Sequence, residues 1–307
     1  MTFTTPITVL APATTANLGP GFDCLGMALD LWNRLEVRPG GPESPGEPLV
    51  EVSGEGSTEA PSDASNLVYR SMRFLFREAN LELPPLRLRC HNQIPFSRGL
   101  GSSAAAITSG LVAANALCPA RFSPNELLEM AATIEGHPDN VAAAVLGGLQ
   151  LVVSDQEQLY TAAISIPEDL QAVLYIPEQR IATADARAVL PQTVTLADAV
   201  YNLGRIALLV AGMASDHPEY LSIGTQDRLH QPYREPLFPA IKLIFAAART
   251  AGALGVFLSG SGSTVLALTR GREMTVGYEM AEAAKITGTL GRVQVTRPVS
   301  QGAHLVA

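Results

Sequence analysis

A loop rich in glycine and serine lies directly before a stretch with no charged residue, Ser102–Leu117, which predicts a buried helix. Glycines let the backbone approach a ligand closely, and the unpaired N–H groups at a helix N-terminus attract anions. The segment Ile94–Ala104 therefore indicates a phosphate cradle that needs no lysine. Its letters also suit an ordinary turn in which Ser102 or Ser103 caps the helix.

The basic residues exclude two common kinds of phosphate site. Lys242 and Lys285 are the only lysines among 21 basic residues, and neither lies in a Gly-Lys-Ser/Thr sequence or on a kinase-type strand. A Walker A loop and a protein-kinase site both need such a lysine. Any phosphate chemistry in this chain must therefore use backbone groups, arginines or a metal ion.

The same loop also matches the dinucleotide fingerprint Gly-x-Gly-x-x-Ala over Gly99–Ala104. That fingerprint requires a buried strand directly before it and an acidic residue about 20 positions after it. Here Leu86–Cys90 alternates leucine with arginine, Asn92–Arg98 intervenes, and no acidic residue ends a second strand. The context argues against hydride transfer.

A carboxylate and an Asp-Asn pair occur close together in Glu135-Gly-His-Pro-Asp139-Asn140, between two predicted helices. One carboxylate, a serine hydroxyl and nucleotide phosphates make an ordinary Mg²⁺ shell. The alternative is that Asp139 only caps the next helix while Glu135 is a surface charge. The segment alone does not decide between them.

Two further loops could contact a small ligand. Pro12–Asp23 is polar and bent by glycines, so Asn17 and Asp23 are either turn residues or groups that recognise an amino group or hydroxyl. Leu258–Ser263 is either a tight hairpin or a second backbone wall beside the ligand. It contains no Gly-x-Ser-x-Gly, which argues against a hydrolase nucleophile.

The composition bounds the class of protein. The chain has 307 residues, a net charge of −8 and 47% hydrophobic residues, which predicts two folded domains and argues against nucleic-acid binding. Cys24, Cys90 and Cys118 form no pairable pattern, as in a reducing cytoplasm. No signal peptide or membrane span is expected, because the apolar runs fall short of about 18 residues.

The hydrophobic periodicity predicts the helices and strands that must position these loops. Strands alternate with long helices in a way typical of an α+β fold, with a boundary near 155–175. The predicted strands are Ile7–Ala11, Asn33–Arg38, Leu49–Val52, Leu86–Cys90, Leu149–Ser154, Ala162–Ile166, Ala172–Ile176, Gly255–Leu258, Ser263–Leu268 and Arg292–Thr296. The predicted helices are Asn66–Ala79, Ser102–Leu117, one capped by Ser123 that ends before Gly136, Thr183–Leu190, Leu196–Ala214, Phe238–Ala251 and Thr275–Lys285. Pro39–Asp63 is predicted to be a surface loop or hairpin.

Taken together, these loops resemble the motifs of the GHMP kinases, a family of small-molecule kinases, over nearly the whole chain. Pro95–Ala105 resembles the family's phosphate motif, Pro-x-x-x-Gly-Leu-Gly-Ser-Ser-Ala. Ser259–Thr264 is similar to Ser-Gly-Ser-Gly-Pro-Thr, with serine in place of the proline. Pro12–Gly26 and Glu135–Ala142 resemble the corresponding segments of the members that act on homoserine.

The resemblance implies a two-domain α+β fold. Residues 1–165 would form a mixed β/α domain with a left-handed-type βαβ phosphate loop, and residues 166–307 a ferredoxin-like α/β sandwich. It also implies a cytoplasmic enzyme that uses ATP and Mg²⁺ to phosphorylate the side-chain hydroxyl of L-homoserine. The product, O-phospho-L-homoserine, precedes threonine. The expected assembly is a homodimer, with no nucleic-acid or membrane partner.

The resemblance also implies roles for individual residues. Ser103 and Glu135 would hold Mg²⁺, with Ser102 as the alternative hydroxyl. The nucleotide would be bound by Asn66, Pro95, Phe96, Ser97, Arg98, Gly99, Leu100, Gly101, Ser102, Ser103, Ala104 and Ala105. The amino acid would be bound by Asn17, Asp23, Asp139, Asn140, Thr183, Arg187, Arg234 and Gly260, of which Asp139, Asn140 and Arg187 would lie at the reacting end.

The chemistry of a zwitterion agrees with this assignment, since its ammonium needs an anion and its carboxylate an arginine. Asp23 and Arg234 suit those tasks. Phosphoryl transfer through a loose transition state can proceed by orientation and charge stabilisation, so no catalytic base is required. The alternatives are a related kinase for mevalonate, a phosphorylated isoprenoid precursor or shikimate, and a non-catalytic nucleotide or amino-acid sensor.

Overall fold

Two sheets organise the described residues, 5–40, 49–156 and 158–306 of a computed structural model. The first sheet contains β1 (Ile7–Asn17), β2 (Gly21–Pro39), β3 (Val50–Gly54), β4 (Leu86–Asn92), β5 (Leu149–Asp155), β6 (Gln158–Ile164) and β11 (His304–Val306). Its order is β11-β1-β2-β4-β3, while β5 pairs with a second stretch of the long strand β2, and β6 pairs with β5. Among the strands that the structure describes, only β3 and β4 pair in parallel.

The opening segment is more ordered than the sequence predicts. Pro12–Asp23 was expected to be a loop, but β1 continues to Asn17 and β2 begins at Gly21, with bulges at Pro12/Ala13 and Ala16/Asn17. Small side chains explain the extension, because Ala11, Ala13 and Ala16 are fully buried against the core. Only a short turn then separates Asn17 from Asp23.

The helices of the first half cover one another and this sheet. They are α1 (Leu67–Glu78), α2 (Ser102–Leu117), α3 (Pro124–Glu135) and α4 (Asp139–Leu146). The predicted capping box is confirmed, since Ser123 and Glu126 bond reciprocally at the start of α3. The alternative in which Ser102 or Ser103 caps α2 is wrong, because the cap position is Gly101, which has no side chain to offer. Asp139 lies in the first turn of α4 and is not its cap.

The second sheet is antiparallel and has the order β10-β7-β9-β8. Its strands are β7 (Gln171–Pro177), β8 (Gly255–Leu258), β9 (Val265–Thr269) and β10 (Gly291–Thr296). The helices of this half are α5 (Thr183–Ala188), α6 (Leu196–Ala214), α7 (Leu221–Gly224), α8 (Gln231–Arg234), α9 (Ile241–Thr250) and α10 (Glu273–Ile286), with 3₁₀ turns at Pro218–Tyr220 and Glu235–Leu237. This strand order is that of a ferredoxin-like sandwich, so the predicted fold class is confirmed.

Both faces of the second sheet are buried, because side chains alternate along each strand. Val173 and Tyr175 of β7 pack in the cluster formed with α9 and α10. Leu174 and Ile176 point the other way, into a cluster shared with Leu25 and other first-sheet residues. The two halves of the chain therefore share one apolar core.

The predicted domain boundary at 165/166 falls in the connection between β6 and β7 and stays a prediction. The end of the chain crosses that boundary, because β11 pairs antiparallel with β1. This strand was not predicted. Of the predicted surface loop Pro39–Asp63, residues 41–48 lie outside the described residues, and the strand within it is β3.

One described helix, α6, has the length and apolar composition that a membrane span requires. Its inward residues Leu209 and Met213 belong to the shared core, yet only 22% of the apolar window is buried. The outer face of α6 is therefore unusually apolar for a surface helix.

Candidate active site

A cavity of about 510 Å³ is bordered by the glycine loop, the β1–β2 turn and loops of the second half. Most of the residues singled out by sequence border it: Asn17, Asp23, Asn66, Pro95, Phe96, Ser97, Arg98, Gly99, Leu100, Gly101, Ser102, Ser103, Glu135, Asp139, Asn140, Thr183, Arg187, Arg234 and Gly260. Ala104 and Ala105 do not; they are fully buried inside α2.

The glycine loop keeps its shape because its backbone takes left-handed dihedral angles. Gly99 has φ +73° and Gly101 φ +67°. A side chain at Gly99 would collide with the carbonyl oxygen of Ser259, and one at Gly101 with Thr14. The loop thus passes close to both β1 and the 258–263 segment, and it presents the N-terminus of α2 to the cavity.

The segment after β8 is a second wall, as one sequence alternative proposes. Ser259 donates its hydroxyl hydrogen to the carbonyl of Gly99 at 2.6 Å, and the amide of Gly260 donates to the carbonyl of Ala16 at 3.1 Å. Ser263, which replaces the motif's proline, donates to the carbonyl of Gln179. Its hydroxyl therefore fastens the loop from the other side.

Arg98 serves the backbone in this structure. Its Nε donates to the carbonyl of Pro177 at 2.7 Å, and its two terminal nitrogens donate to those of Phe96 and Glu178. Burial and the neighbouring Arg180 lower the pKa of this guanidinium. Arg98 thus ties the glycine loop to the end of β7, and its hydrogen bonds point away from a phosphate role.

Asn66, like Arg98, forms side-chain hydrogen bonds with the backbone. Its Oδ1 accepts the amide hydrogen of Val68, and its Nδ2 donates to the carbonyl of Pro61 at 2.7 Å. The side chain caps α1 and fixes the 61–66 segment at the cavity's edge. An adenine-binding role for Asn66 stays a prediction.

Ser103 and Glu135 meet although 32 positions separate them in the chain, since α2 and the end of α3 lie side by side. The Ser103 hydroxyl donates to Oε1 of Glu135 at 2.5 Å. Burial raises the pKa of Glu135, only partly offset by the hydrogen bond from Ser103. The described residues hold no cluster of three metal-ligating carboxylates, imidazoles or thiols. A hydroxyl and one carboxylate suit Mg²⁺ that takes its other ligands from phosphates and water.

Asp139 and Asn140 are fixed at the centre of the cavity wall. Oδ1 of Asp139 accepts the Asn140 amide hydrogen at 2.7 Å and lies 3.0 Å from Nδ1 of His137. The hydrogen bond to Asp139 raises the pKa of His137. Oδ1 of Asn140 accepts the hydroxyl hydrogen of Thr14 at 2.8 Å. Each side chain is therefore held in one orientation.

Asp23 and Arg187 form a two-pronged ion pair between the start of β2 and α5. The N–O distances are 3.0 and 2.7 Å. The hydrogen bond from Arg187 to Asp23 raises the pKa of that guanidinium. Asn17 orders the β1–β2 turn, since its Oδ1 accepts from the Asp23 amide and its Nδ2 donates to the carbonyl of Gly260.

Arg234 lies deeper and is 2% exposed. Its Nε donates to the carbonyl of Ala186, and its Nη1 donates to the carbonyl of Gly260 at 2.9 Å. Burial, together with repulsion from Arg187, lowers the pKa of Arg234 to about 10. Its Nη2 has no hydrogen bond within the described part of the chain, so this atom is available to an anion in the cavity.

Sequence reasoning missed the residues that hold Arg234. Nδ1 of His230 lies 2.9 Å from Nη1 of Arg234, while Nε2 lies 2.6 Å from the carbonyl oxygen of Gly19. If Nε2 of His230 carries the hydrogen, it donates to the Gly19 carbonyl, while Nδ1 accepts a hydrogen bond from Nη1 of Arg234. Asp227 fixes this segment by accepting three amide hydrogens from 229–231. A histidine four residues before Arg234 was the available signal.

Phe22 was also missed. The Arg187 and Arg234 guanidinium carbons lie 5.5 and 5.6 Å from the centre of its ring. The faces of aromatic rings attract cations, so Phe22 holds two like charges near one another. Thr183 also borders the cavity, and its hydroxyl lies 3.4 Å from that of Ser261.

The residues that border the cavity form two chemically different groups. One presents a helix N-terminus, a glycine loop and the Ser103–Glu135 pair, which suits a metal-bound polyphosphate. The other presents Asp23 beside two arginines, which suits a small molecule that carries both charges.

Comparisons with known proteins identify the family and the fold. Family models match residues 66–148 (GHMP kinases N terminal domain) and 199–288 (GHMP kinases C terminal). A homoserine kinase from Moorella thermoacetica is 45% identical over 298 residues, which is 97% of this chain and 99% of that protein. One from a Synechococcus species is 40% identical over 301 residues and 97% of each chain.

Solved structures give the same fold. The crystal structure of homoserine kinase from Cytophaga hutchinsonii superimposes with a TM-score of 0.86 at 30% identity, covering 98% of this chain and 97% of that one. A mevalonate kinase from L. major has a TM-score of 0.69 at 16% identity, covering 97% of each chain, a likeness of fold alone.

Proposed function

The chain belongs to the GHMP kinase family, and from that premise we infer that it transfers the γ-phosphoryl group of ATP to the side-chain hydroxyl of L-homoserine. The relatives named homoserine kinase, which align over almost the whole chain, support this substrate. The product would be O-phospho-L-homoserine, the precursor of threonine, made in the cytoplasm.

One observation carries the proposal: Asp23, Arg187 and Arg234 border the same cavity as the glycine loop, with Asp23 paired to Arg187 and both guanidinium groups near the Phe22 ring. Homoserine carries an ammonium and a carboxylate, so a site for it needs both signs of charge. Mevalonate and shikimate carry a carboxylate but no ammonium. Asp23 therefore favours the amino acid over the related substrates.

The ATP phosphates would lie against the amides of 99–103 at the start of α2. Backbone N–H groups and the helix dipole would supply the positive charge that lysine supplies elsewhere. Ser103 and Glu135 would hold Mg²⁺, which neutralises charge on the transferred group when bound. Their present hydrogen bond shows that both oxygens already lie within reach of one point.

The amino acid would lie between Asp23 and Arg234, with its carboxylate on the unused Nη2 of Arg234. The substrate ammonium would share the Asp23 carboxylate with Arg187, because both terminal nitrogens of Arg187 already donate to that carboxylate. We expect substrate to weaken the Asp23–Arg187 pair and to draw Arg187 toward the reacting hydroxyl.

Catalysis would come mainly from orientation and charge, without a dedicated base. Asp139 is the carboxylate nearest that task, but Oδ1 already accepts from Asn140 and faces His137. Asn140 cannot accept a proton. In a loose transition state a base contributes little to the rate, because the acceptor hydroxyl can lose its proton late in the reaction.

The Asp139→Asn and Asn140→Ala variants test this mechanism. Both should lower kcat and raise the KM for homoserine together, because each disturbs the same wall. A loss of most kcat in Asp139→Asn at unchanged KM, with Asn140→Ala mild, would show that a base is required.

The function itself is tested by coupled ADP release with purified full chain, ATP and Mg²⁺. Homoserine, mevalonate and shikimate are compared at millimolar concentration. Turnover with homoserine alone is expected. Turnover with another acceptor identifies a different GHMP kinase, and binding of ATP without any turnover identifies a sensor.

A further inference from the structure

A second cavity, of about 300 Å³, is bordered by α8, the short helix that also carries Arg234. Gln231 and Pro232 of α8 face this second cavity, whereas Arg234 borders the first. Within the described ranges the two cavities have no bordering residue in common. Sites for small molecules occupy about 300–1,000 Å³. The second cavity therefore has room for a compact ligand that leaves the first cavity free.

Gln231 offers an unpartnered donor to the second cavity. The residue is only 6% exposed. Its Oε1 accepts the amide hydrogen of Leu258 at 2.7 Å, which fixes the orientation of the side-chain amide. Its Nε2 has no hydrogen bond to any described residue. A buried donor without a partner destabilises a fold, so an acceptor supplied by a ligand would be favourable at this point.

Helix α9 forms another wall of the second cavity and places cations beside apolar surface. Lys242, Phe245 and Arg249 all border the cavity, and steps of three and four residues keep them on one side of the helix. The Arg249 guanidinium carbon lies 5.7 Å from the centre of the Phe245 ring. Arg249 forms no hydrogen bond or ion pair with the described residues. Ile241, which is buried, adds further apolar surface.

The acidic side chains at the second cavity already have partners. Glu235 pairs with Lys242 at 2.8 Å. The side chain of Asp227 is fully buried, and its two oxygens accept four hydrogen bonds. An ammonium group would therefore find no free carboxylate there. An anion would find the Gln231 amide and the Arg249 guanidinium, which are both donors.

The wall that α6 contributes is fixed by its own contacts. The Tyr201 hydroxyl donates to Oε1 of Gln226 at 2.6 Å. The guanidinium carbons of Arg205 and Arg228 lie 3.4 and 3.9 Å from the centre of the Tyr201 ring. This wall is thus formed before any ligand binds. Affinity gains when a site does not have to be ordered by its ligand.

We propose that the second cavity binds a small carboxylate that has an apolar body and no ammonium group. The carboxylate would accept from Nε2 of Gln231, while Arg249 and Lys242 supply positive charge. The apolar body would lie against Phe245 and Ile241. Inorganic phosphate lacks the apolar part, and an α-amino acid would bring an ammonium group to a set of donors. Binding at this cavity does not depend on which acceptor the kinase phosphorylates.

Isothermal titration calorimetry of the full chain with 3-phenylpropanoate tests the proposal. ADP, Mg²⁺ and homoserine are kept at saturating concentration, so that the first cavity is filled without turnover. One saturable site with a Kd of about 1 mM or lower is expected. L-phenylalanine has the same skeleton with an ammonium group, 3-phenylpropan-1-ol lacks the charge, and phosphate lacks the ring. Each should bind at least about 10-fold more weakly. No binding of 3-phenylpropanoate, or equal binding of the three phenyl compounds, would overturn the proposal.

The two lysines of the chain provide a matched pair of variants. Lys242 and Lys285 are 76 and 69% exposed, and each pairs with a glutamate, but Lys285 lies on α10 outside the second cavity. Lys242→Gln should raise the Kd for 3-phenylpropanoate about 3- to 10-fold, and Lys285→Gln should leave it unchanged. Equal effects of the two substitutions would contradict binding at this cavity.

Gln231→Glu tests the buried donor. It keeps an oxygen for the Leu258 amide and replaces the free N–H groups with a second oxygen, so it should abolish binding of 3-phenylpropanoate. Thermal unfolding checks that the variant folds. Arg249→Gln is an exposed change that does not threaten folding, and it should also raise the Kd about 3- to 10-fold. Unchanged binding in Arg249→Gln, or in a folded Gln231→Glu variant, would place the ligand elsewhere and overturn the proposal.

Discussion

At the scale of residues, neutral buried groups hold the charged ones in place. His230 is fully buried, and burial lowers its pKa to about 4. As a neutral imidazole it donates to the Gly19 carbonyl and accepts from Arg234, so it links the β1–β2 turn to the arginine expected to bind the substrate carboxylate. His230 is therefore a positioning residue, although no substrate atom need touch it.

The buried imidazole should make stability depend on pH. Its folded pKa of about 4 lies below the ordinary 6.5, so the unfolded chain binds a proton that the folded chain refuses. Its contribution is complete above pH 6.5 and is lost as the pH falls toward 4. His230→Gln keeps a donor and an acceptor without titrating. The urea midpoint should fall between pH 7 and pH 5, and this fall should be smaller in the variant than in the wild type.

The same variant has a kinetic signature. A small displacement of Arg234 should raise the KM for homoserine several-fold while the KM for ATP stays unchanged. His230→Phe, which removes one of the hydrogen-bond partners of Arg234 and the imidazole donor to the Gly19 carbonyl, should cost about 1–3 kcal/mol of stability as well. Equal changes in both KM values for His230→Gln would show that His230 has only a structural role.

Glu135 illustrates a residue that favours function over stability. Burial raises its pKa, so the stability it contributes is greatest at low pH and is lost as the pH rises through the raised value. Glu135→Gln should therefore raise the melting temperature at pH 7 and lower kcat about 100-fold or more. Glu129→Gln, an exposed change on the same helix, should alter neither. A destabilised Glu135→Gln variant would contradict this account.

At the scale of elements, the glycine loop is shaped by its neighbours more than by its own sequence. Gly99 lies against the carbonyl of Ser259, which comes from the other half of the chain. The loop keeps its left-handed backbone only because β1 and the 258–263 segment close around it. The proposed nucleotide site is thus assembled when the two halves dock.

A pair of glycine substitutions tests that view. Gly99 and Gly271 have φ values of +73° and +72°, but a side chain at Gly271 meets nothing within 4 Å. Gly271→Ala should cost only the left-handed penalty of about 1–2 kcal/mol. Gly99→Ala must also displace the loop, so the KM for ATP should rise at least about 10-fold. Similar effects of the two variants on ATP binding would contradict close docking as the cause.

At the scale of the molecule, the shared core joins the two halves into one cooperative unit. Leu25 and Leu29 of β2 pack in the same cluster as Leu174, Phe257 and Leu266 of the second sheet. Strand β11 then returns the end of the chain to the first sheet. The two halves therefore have separate sheets, but they bury part of their apolar side chains in one shared cluster.

The isolated segment 1–165 should consequently fail to fold as a stable domain. It lacks β11 and exposes the face of β2 that the second sheet covers. We expect no cooperative thermal transition for the fragment, and for the full chain one calorimetric transition with matching calorimetric and van't Hoff enthalpies. A cooperative transition of the fragment would show that the halves fold independently.

The sequence by itself determined the local features. Periodicity located α2, α6 and the capping box of α3, because these depend on residues only a few positions apart. The motif segments predicted the family, and nearly all the site residues that they implied border the cavity. Sequence could not place the contacts of a residue with distant parts of the chain. It therefore missed β11, the extension of β1 to Asn17, the roles of His230 and Phe22, and the engagement of Arg98 with carbonyls.

Tertiary structure decided which charges meet. Asp23 and Arg187 are 164 positions apart, and only the docking of the two sheets brings them within 3.0 Å. The same docking buries Arg234 and leaves one of its nitrogens for the cavity. Local sequence specifies helices, strands and turns because their hydrogen bonds are short in range. The site depends on burial and on long-range pairing, which exist only once the core has formed.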